Sequence, residues 1–121
     1  MWNVKQTLEF QKWFDESDDQ LKNDSLKHIE LIRQIGPQLS RPYSDTIKGS
    51  TIKNLKELRF DSNKGVIRIF YVFDPDRNGI LLIGGNKAGS GDKRFYKVMI
   101  AESETIYSKF RQGEKHEKQK I

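Results

Sequence analysis

The chain has no cysteine in 121 residues, only two histidines (His28 and His116) and three prolines. Without cysteine there is no disulfide framework, no thiol nucleophile and no cysteine-ligated zinc site. Neither histidine has ligand-type spacing to another donor. His28 is therefore expected to be a solvated helix residue and His116 a tail residue without a role, with no metal and no cofactor. No apolar run approaches the ~20 residues that span a bilayer. The opening MWNVKQTLEF lacks the apolar stretch of a secretory leader. The expectation is a cytoplasmic protein without membrane attachment. Gly-x-Ser-x-Gly and Walker-type phosphate loops are also missing. Gly84-Gly85-Asn86-Lys87-Ala88-Gly89 is rich in glycine, but its spacing fits a flexible basic loop better than a nucleotide cradle.

What is present is charge and aromatic mass. Charged residues make up 32% of the chain, and 7 Phe, 4 Tyr and 2 Trp can fill a core, which excludes a disordered chain. The length suits one domain, expected over residues 1–111, with 112–121 as a basic tail that frays. The net charge of +5 is unevenly spread. Residues 1–47 hold six Lys/Arg against eight Asp/Glu, hence −2; residues 48–121 hold sixteen against nine, hence +7. The basic character of the second part favours a polyanionic partner there.

Read in order, Trp2–Lys5 suits a short strand, and Thr7 an N-cap for a helix ending near Glu16. Ser17-Asp18-Asp19-Gln20 fits a capping box for a second helix, which Gly36-Pro37 ends. Residues 36–53, with two prolines and two glycines, form a long connector expected to border the site. Three strand-like runs follow, Leu55–Phe60, Val66–Phe73 and Ile80–Ile83, separated by turn-forming stretches. Helical spacing returns from Lys93 to Phe110. The order β-α-α-β-β-β-α predicts an α+β, two-layer domain, an antiparallel sheet with helices on one face.

Alternation along the strands puts Arg68 with Val66, Phe70 and Val72, and Arg59 with Leu55 and Glu57. Each arginine is then either on an open face or buried against a carboxylate such as Glu57. Cleaving RNA requires an activated 2′-hydroxyl, a stabilised phosphate and a protonated leaving oxygen. Guanidinium groups serve the second need, and lysine or tyrosine can serve in proton transfer. Arg94-Phe95-Tyr96-Lys97 interleaves cations with rings, as stacking on single-stranded RNA requires.

The ordered series GPQLSRPYSDTIKGS, NLKELRF, IRIFYVFDP, ILLIGGNKAG and DKRFYKVMI resembles the RelE/ParE toxin superfamily, in its HigB-like, phage-derived branch of type II toxin–antitoxin systems. The likeness runs from Trp2 to about Phe110. It implies a RelE-like fold and a cytoplasmic, metal-independent endoribonuclease that cuts mRNA on the ribosome and pairs with a helix-turn-helix antitoxin. It also implies that Arg68 contacts the scissile phosphate and that Tyr96 and Lys56 move protons. Arg59, Lys87, Lys93, Arg94 and Lys97 would hold RNA, with Lys87 or Arg94 as the basic residue just before the tyrosine. Glu57 stands where a second lysine is expected, and the catalytic histidines of some HigB proteins are missing. Two alternatives stay open: a ParE-like toxin that binds DNA gyrase without catalysis, and an inactive prophage-derived RNA-binding remnant.

Overall fold

The first two helices begin where a side chain takes up an amide left open by the helix end. In the computed structural model, which describes residues 1–89 and 91–113, Thr7 links strand β1 (Val4–Gln6) to helix α1 (Leu8–Asp15). The Thr7 hydroxyl oxygen accepts the Phe10 amide at 3.1 Å. Helix α2 (Asp19–Ile35) is capped by Asp18, whose carboxylate accepts the Leu21 amide at 2.8 Å. The cap therefore falls one residue after the expected Ser17, and with Leu21 in the third helical position it is a single cap and not a capping box. Ser17 still belongs to the end of α1, where its hydroxyl donates to the Trp13 carbonyl. Gly36, at φ 75, ends α2 ahead of Pro37. Helix α3 (Asp92–Arg111) starts at Gly91 with no side-chain cap.

Strands β2 (Ser44–Thr46), β3 (Lys56–Ser62), β4 (Gly65–Phe73) and β5 (Gly79–Asn86) join β1 in one sheet of order β1-β5-β4-β3-β2. The three expected strands form its antiparallel centre. Two features differ from expectation. The connector contributes β2, an added edge strand on β3. At the other edge β1 runs parallel to β5, so the sheet is mixed. The Thr7 amide and hydroxyl tie that junction down by donating to the Leu81 and Leu82 carbonyls.

The helices also cover both faces, in place of the single face expected. Phe10, Ile29 and Ile32 pack on Leu58, Phe60, Ile69 and Tyr71. Phe95, Met99, Ile106 and Phe110 pack on Leu55, Phe70, Val72 and Leu82, on the opposite side. The cause lies in β4: it is apolar at almost every position, so both of its sides must leave water. The α+β class and the element order stand; the layering becomes helix–sheet–helix.

Strand β5 shows the two-sided contact at adjacent residues. A Cβ on Gly84 would lie 2.5 Å from the Trp13 ring of α1, and one on Gly85 would lie 2.9 Å from Met99 Cε of α3. Glycine lets both helices close on the strand, so residues 84–86 of the stretch expected as a loop are sheet, and only 87–89 lie beyond it. His28 is likewise not simply solvated. Its ring stacks on Phe60 at 4.2 Å, and its Nδ1 lies 2.7 Å from the Asp24 carbonyl. Among the described residues no helix is long and apolar enough to cross a membrane. The tail expected to fray, His116 included, lies from residue 114 onward outside the described residues.

Candidate functional site

The register of β3 on β4 puts Arg59 directly opposite Arg68. Two like charges across a ladder repel, so this pair needs a counter-charge. Glu57 supplies it: two residues from Arg59 on the same strand face, it is only 3% exposed. One carboxylate oxygen accepts from Arg59 Nη1 at 2.7 Å, and the other accepts from the Tyr96 hydroxyl at 2.7 Å. Arg68 Nε stands 3.6 Å from that second oxygen, and Arg68 Nη1 donates to the Ile67 carbonyl at 2.8 Å. Tyr96 comes from the first turns of α3, which leans on this end of the sheet through Phe95 and Phe70.

Two further ion pairs border the cluster. Lys87, at the end of β5, holds its ammonium 5.6 Å from the Tyr96 ring centre and 3.4 Å from the Asp92 carboxylate. From the connector, β2 sets Asp45 opposite Glu57, and Arg41 donates to Asp45 through Nε at 3.0 Å and Nη2 at 2.7 Å. Within the inner cluster two guanidinium groups face one carboxylate, which leaves one positive charge over. A half-enclosed surplus of that sign favours an anion.

The expected site residues separate into three groups. Arg59, Arg68, Tyr96 and Lys87 come together. Arg68, however, is only 6% exposed, so the guanidinium expected at an open phosphate site is enclosed behind Glu57 and Tyr96. Its Nε has no hydrogen-bond partner. Lys56 stands apart. It alternates onto the α1/α2 face, where its ammonium donates to the Pro37 and Leu39 carbonyls at 2.8 and 2.9 Å. Burial lowers its pKa, with Asp45 opposing, but the cation is committed to holding the connector and lies away from Tyr96. Lys93, Arg94 and Lys97 form the third group. They line an open groove of about 840 Å³ on the outer side of α3, floored by Val98 and Ala101.

The proton chemistry of the cluster follows from burial. Enclosure pushes the Tyr96 phenol above its ordinary value; its bond to Glu57 adds to this, and Arg68 opposes. At neutral pH the ring keeps its proton and can act as a donor, not a base. Among the described residues no group of three or more His, Asp or Glu gathers as metal ligands would.

Two neighbours escaped the sequence reading as members of the site. Glu57 was visible as a partner for an arginine but not as the group on which three side chains converge; its position two residues before Arg59 on a strand was the available signal. Arg41 carried no local signal, since only the pairing of β2 with β3 brings it alongside.

Residues 12–108 match the family described as "Phage derived protein Gp49-like (DUF891)". The chain belongs to that family. Two curated relatives of this Gp49-like chain come from Mycobacterium tuberculosis. The one named "Putative toxin HigB3" is 48% identical over 68 residues, 56% of the chain. The one named "Putative toxin HigB2" is 48% identical over 62 residues, 50% of the chain. The chain spans 57% of the length of the first and 31% of the second. The phage-derived, HigB-like resemblance read from the sequence is thereby shown. The solution structure of the conserved hypothetical protein HP0894 from Helicobacter pylori is also similar, at 25% identity and a TM-score of 0.47, over 71% of the Gp49-like chain and 94% of its own.

Proposed function

We propose that this Gp49-like chain is the toxin of a type II toxin–antitoxin system, a metal-independent mRNA endonuclease that acts with the ribosome and is neutralised by a helix-turn-helix antitoxin. The observation that carries this reading is the convergence of Arg59, Arg68 and Tyr96 on the Glu57 carboxylate, with Lys87 over the Tyr96 ring and one guanidinium charge in excess. The names of the two curated relatives support the toxin part.

Arg59 and Lys87, with side chains 20% and 17% exposed, stabilise the charge that develops on the phosphate. Arg68 backs them from inside and contributes field without touching RNA. Tyr96 keeps its proton at neutral pH and, on turning its hydroxyl from Glu57, gives it to the leaving 5′-oxygen, while the 2′-hydroxyl proton passes to water as that oxygen attacks the phosphorus. Lys93, Arg94 and Lys97 grip the RNA backbone along α3 through sequence-independent charge. Lys56 has no part in this scheme. The test is to induce the chain in bacteria and map RNA 5′ ends. Discrete cuts inside translated reading frames are expected, and intact transcripts during growth arrest would overturn the nuclease assignment.

A second reading is favoured by the burial of Arg68 and the distance of Lys56: a toxin of the same scaffold that binds a protein target such as DNA gyrase and cuts nothing. Its signature is a DNA-damage response on induction with transcripts left whole.

A further inference from the structure

We propose that Glu57 is the positioning residue of this site: its carboxylate fixes the Arg59 guanidinium and the Tyr96 hydroxyl relative to one another, and it acts through them without contacting RNA. The proposal rests on the nuclease reading and deepens it.

Three observations carry it. Each Glu57 oxygen holds a different side chain, Arg59 on one and Tyr96 on the other, both at 2.7 Å. A single rigid group thus sets the spacing between the anion-binding cation and the proton donor. Glu57 is almost wholly enclosed, so a substrate phosphate meets Arg59 and the Tyr96 hydroxyl while the carboxylate stays behind them. Finally, Arg59 and Arg68 face each other across the ladder and would swing apart if no anion lay between them. Arg68 Nε stands 3.6 Å from the same carboxylate, an ion pair without a hydrogen bond, so Glu57 is the anion shared by both guanidinium groups.

A carboxylate that merely balances charge in the core would give a different result from one that positions. Single-turnover cleavage of a short RNA by the folded full chain is measured for Glu57→Gln, Tyr96→Phe and the double variant, alongside the affinity for the same RNA carrying a 2′-deoxy block at the cut. The expected rate loss for Glu57→Gln is on the order of tenfold to a hundredfold, with affinity changed less than about threefold, since the contacting cations remain. The double variant is expected to be no slower than the slower single variant, because both changes break one unit. An unchanged rate for Glu57→Gln, or losses that multiply in the double variant, overturns the proposal. If Glu57→Gln does not fold, Glu57→Asp keeps the charge with a shorter reach; a rate loss with the fold intact supports positioning, and a wild-type rate refutes it. A wild-type chain that binds RNA but never cuts it sinks the nuclease reading alone. The contact is then read by tyrosinate absorbance, where a lower Tyr96 titration in Glu57→Gln upholds the positioning role and an unmoved one ends it. A wild-type chain that neither binds nor cuts RNA overturns both.

Discussion

The two faces of the sheet are built from the same strands, yet they are closed in different ways. The α1/α2 face is apolar nearly throughout; Ser44 pairs there with the Tyr71 hydroxyl at 2.6 Å, and Lys56 fastens the connector. The α3 face is apolar over Phe95, Met99, Ile106 and Phe110, but at the end where α3 begins it changes to charge. There Glu57, Arg59 and Arg68 occupy strand positions that alternate with Leu58, Phe60, Ile67 and Ile69 of the other face, and Tyr96 of α3 closes over them. Buried charge is a poor source of stability compared with apolar packing. A strand pair that spends one end of a face on two arginines therefore marks that end as the part built for something other than folding.

The comparison can be broken or sharpened by experiment. The largest expected effect is on the apolar side. Phe10→Ala, at a fully buried ring, should cost about 3–5 kcal/mol in denaturant unfolding. A cost under about 1 kcal/mol would mean that the α1/α2 face is not the stabilising one. Arg68→Ala should follow at roughly 3 kcal/mol, because it leaves Glu57 with one counter-charge fewer in an enclosed place. Should it prove as stable as wild type, the guanidinium is not part of the folded interior, and direct phosphate contact returns as its role.

Adjacent glycines of β5 compare the faces by a single methyl group. Gly84→Ala drives a Cβ into the flat indole of Trp13, whereas Gly85→Ala meets the end of the pliable Met99 side chain. About 2–3 kcal/mol is expected for the first and about 1 kcal/mol for the second. The reverse order in thermal unfolding would show that α3, not α1, is the rigid wall.

The smallest effect is in alkaline titration. Burial pushes the Tyr71 phenol from 10.0 to about 12, against the pull of Ser44. Since the folded value lies above the unfolded one, the folded chain holds the proton more firmly. This contribution to stability is whole below about pH 10 and declines as pH rises toward 12. Tyr71→Phe should flatten that decline in a stability–pH curve. Tyr96 is raised by burial and by Glu57 together, so Glu57→Gln should lower the Tyr96 titration, read by tyrosinate absorbance, and leave Tyr71 where it was. Movement of both would show that the substitution had loosened the whole sheet.

Much of the architecture was legible because it rests on neighbours along the chain. Thr7, Gly36-Pro37 and the turns around Asn63 and Asn78 act within a few residues, so caps, stops and hairpins could be read directly. Strand alternation likewise separated Arg68 from Tyr71 correctly. The site was less legible. Arg68 and Tyr96 were recognisable by type, but whether a guanidinium points to water or to a carboxylate depends on what lies across the ladder and above the sheet. Lys56 shows the limit plainly: the residue type suited the chemistry, and alternation by one position carried it to the other face.

The order of elements, the basic second part of the chain and the supply of arginine, lysine and tyrosine were thus determined by the sequence alone, because propensity, capping and charge act locally or simply add. Which face each helix covers, the parallel placement of β1, the enclosure of Arg68 and the convergence on Glu57 were decided only by the tertiary structure. They depend on contacts between residues tens of positions apart, such as Glu57 with Tyr96, and on which surfaces must leave water once the strands have paired.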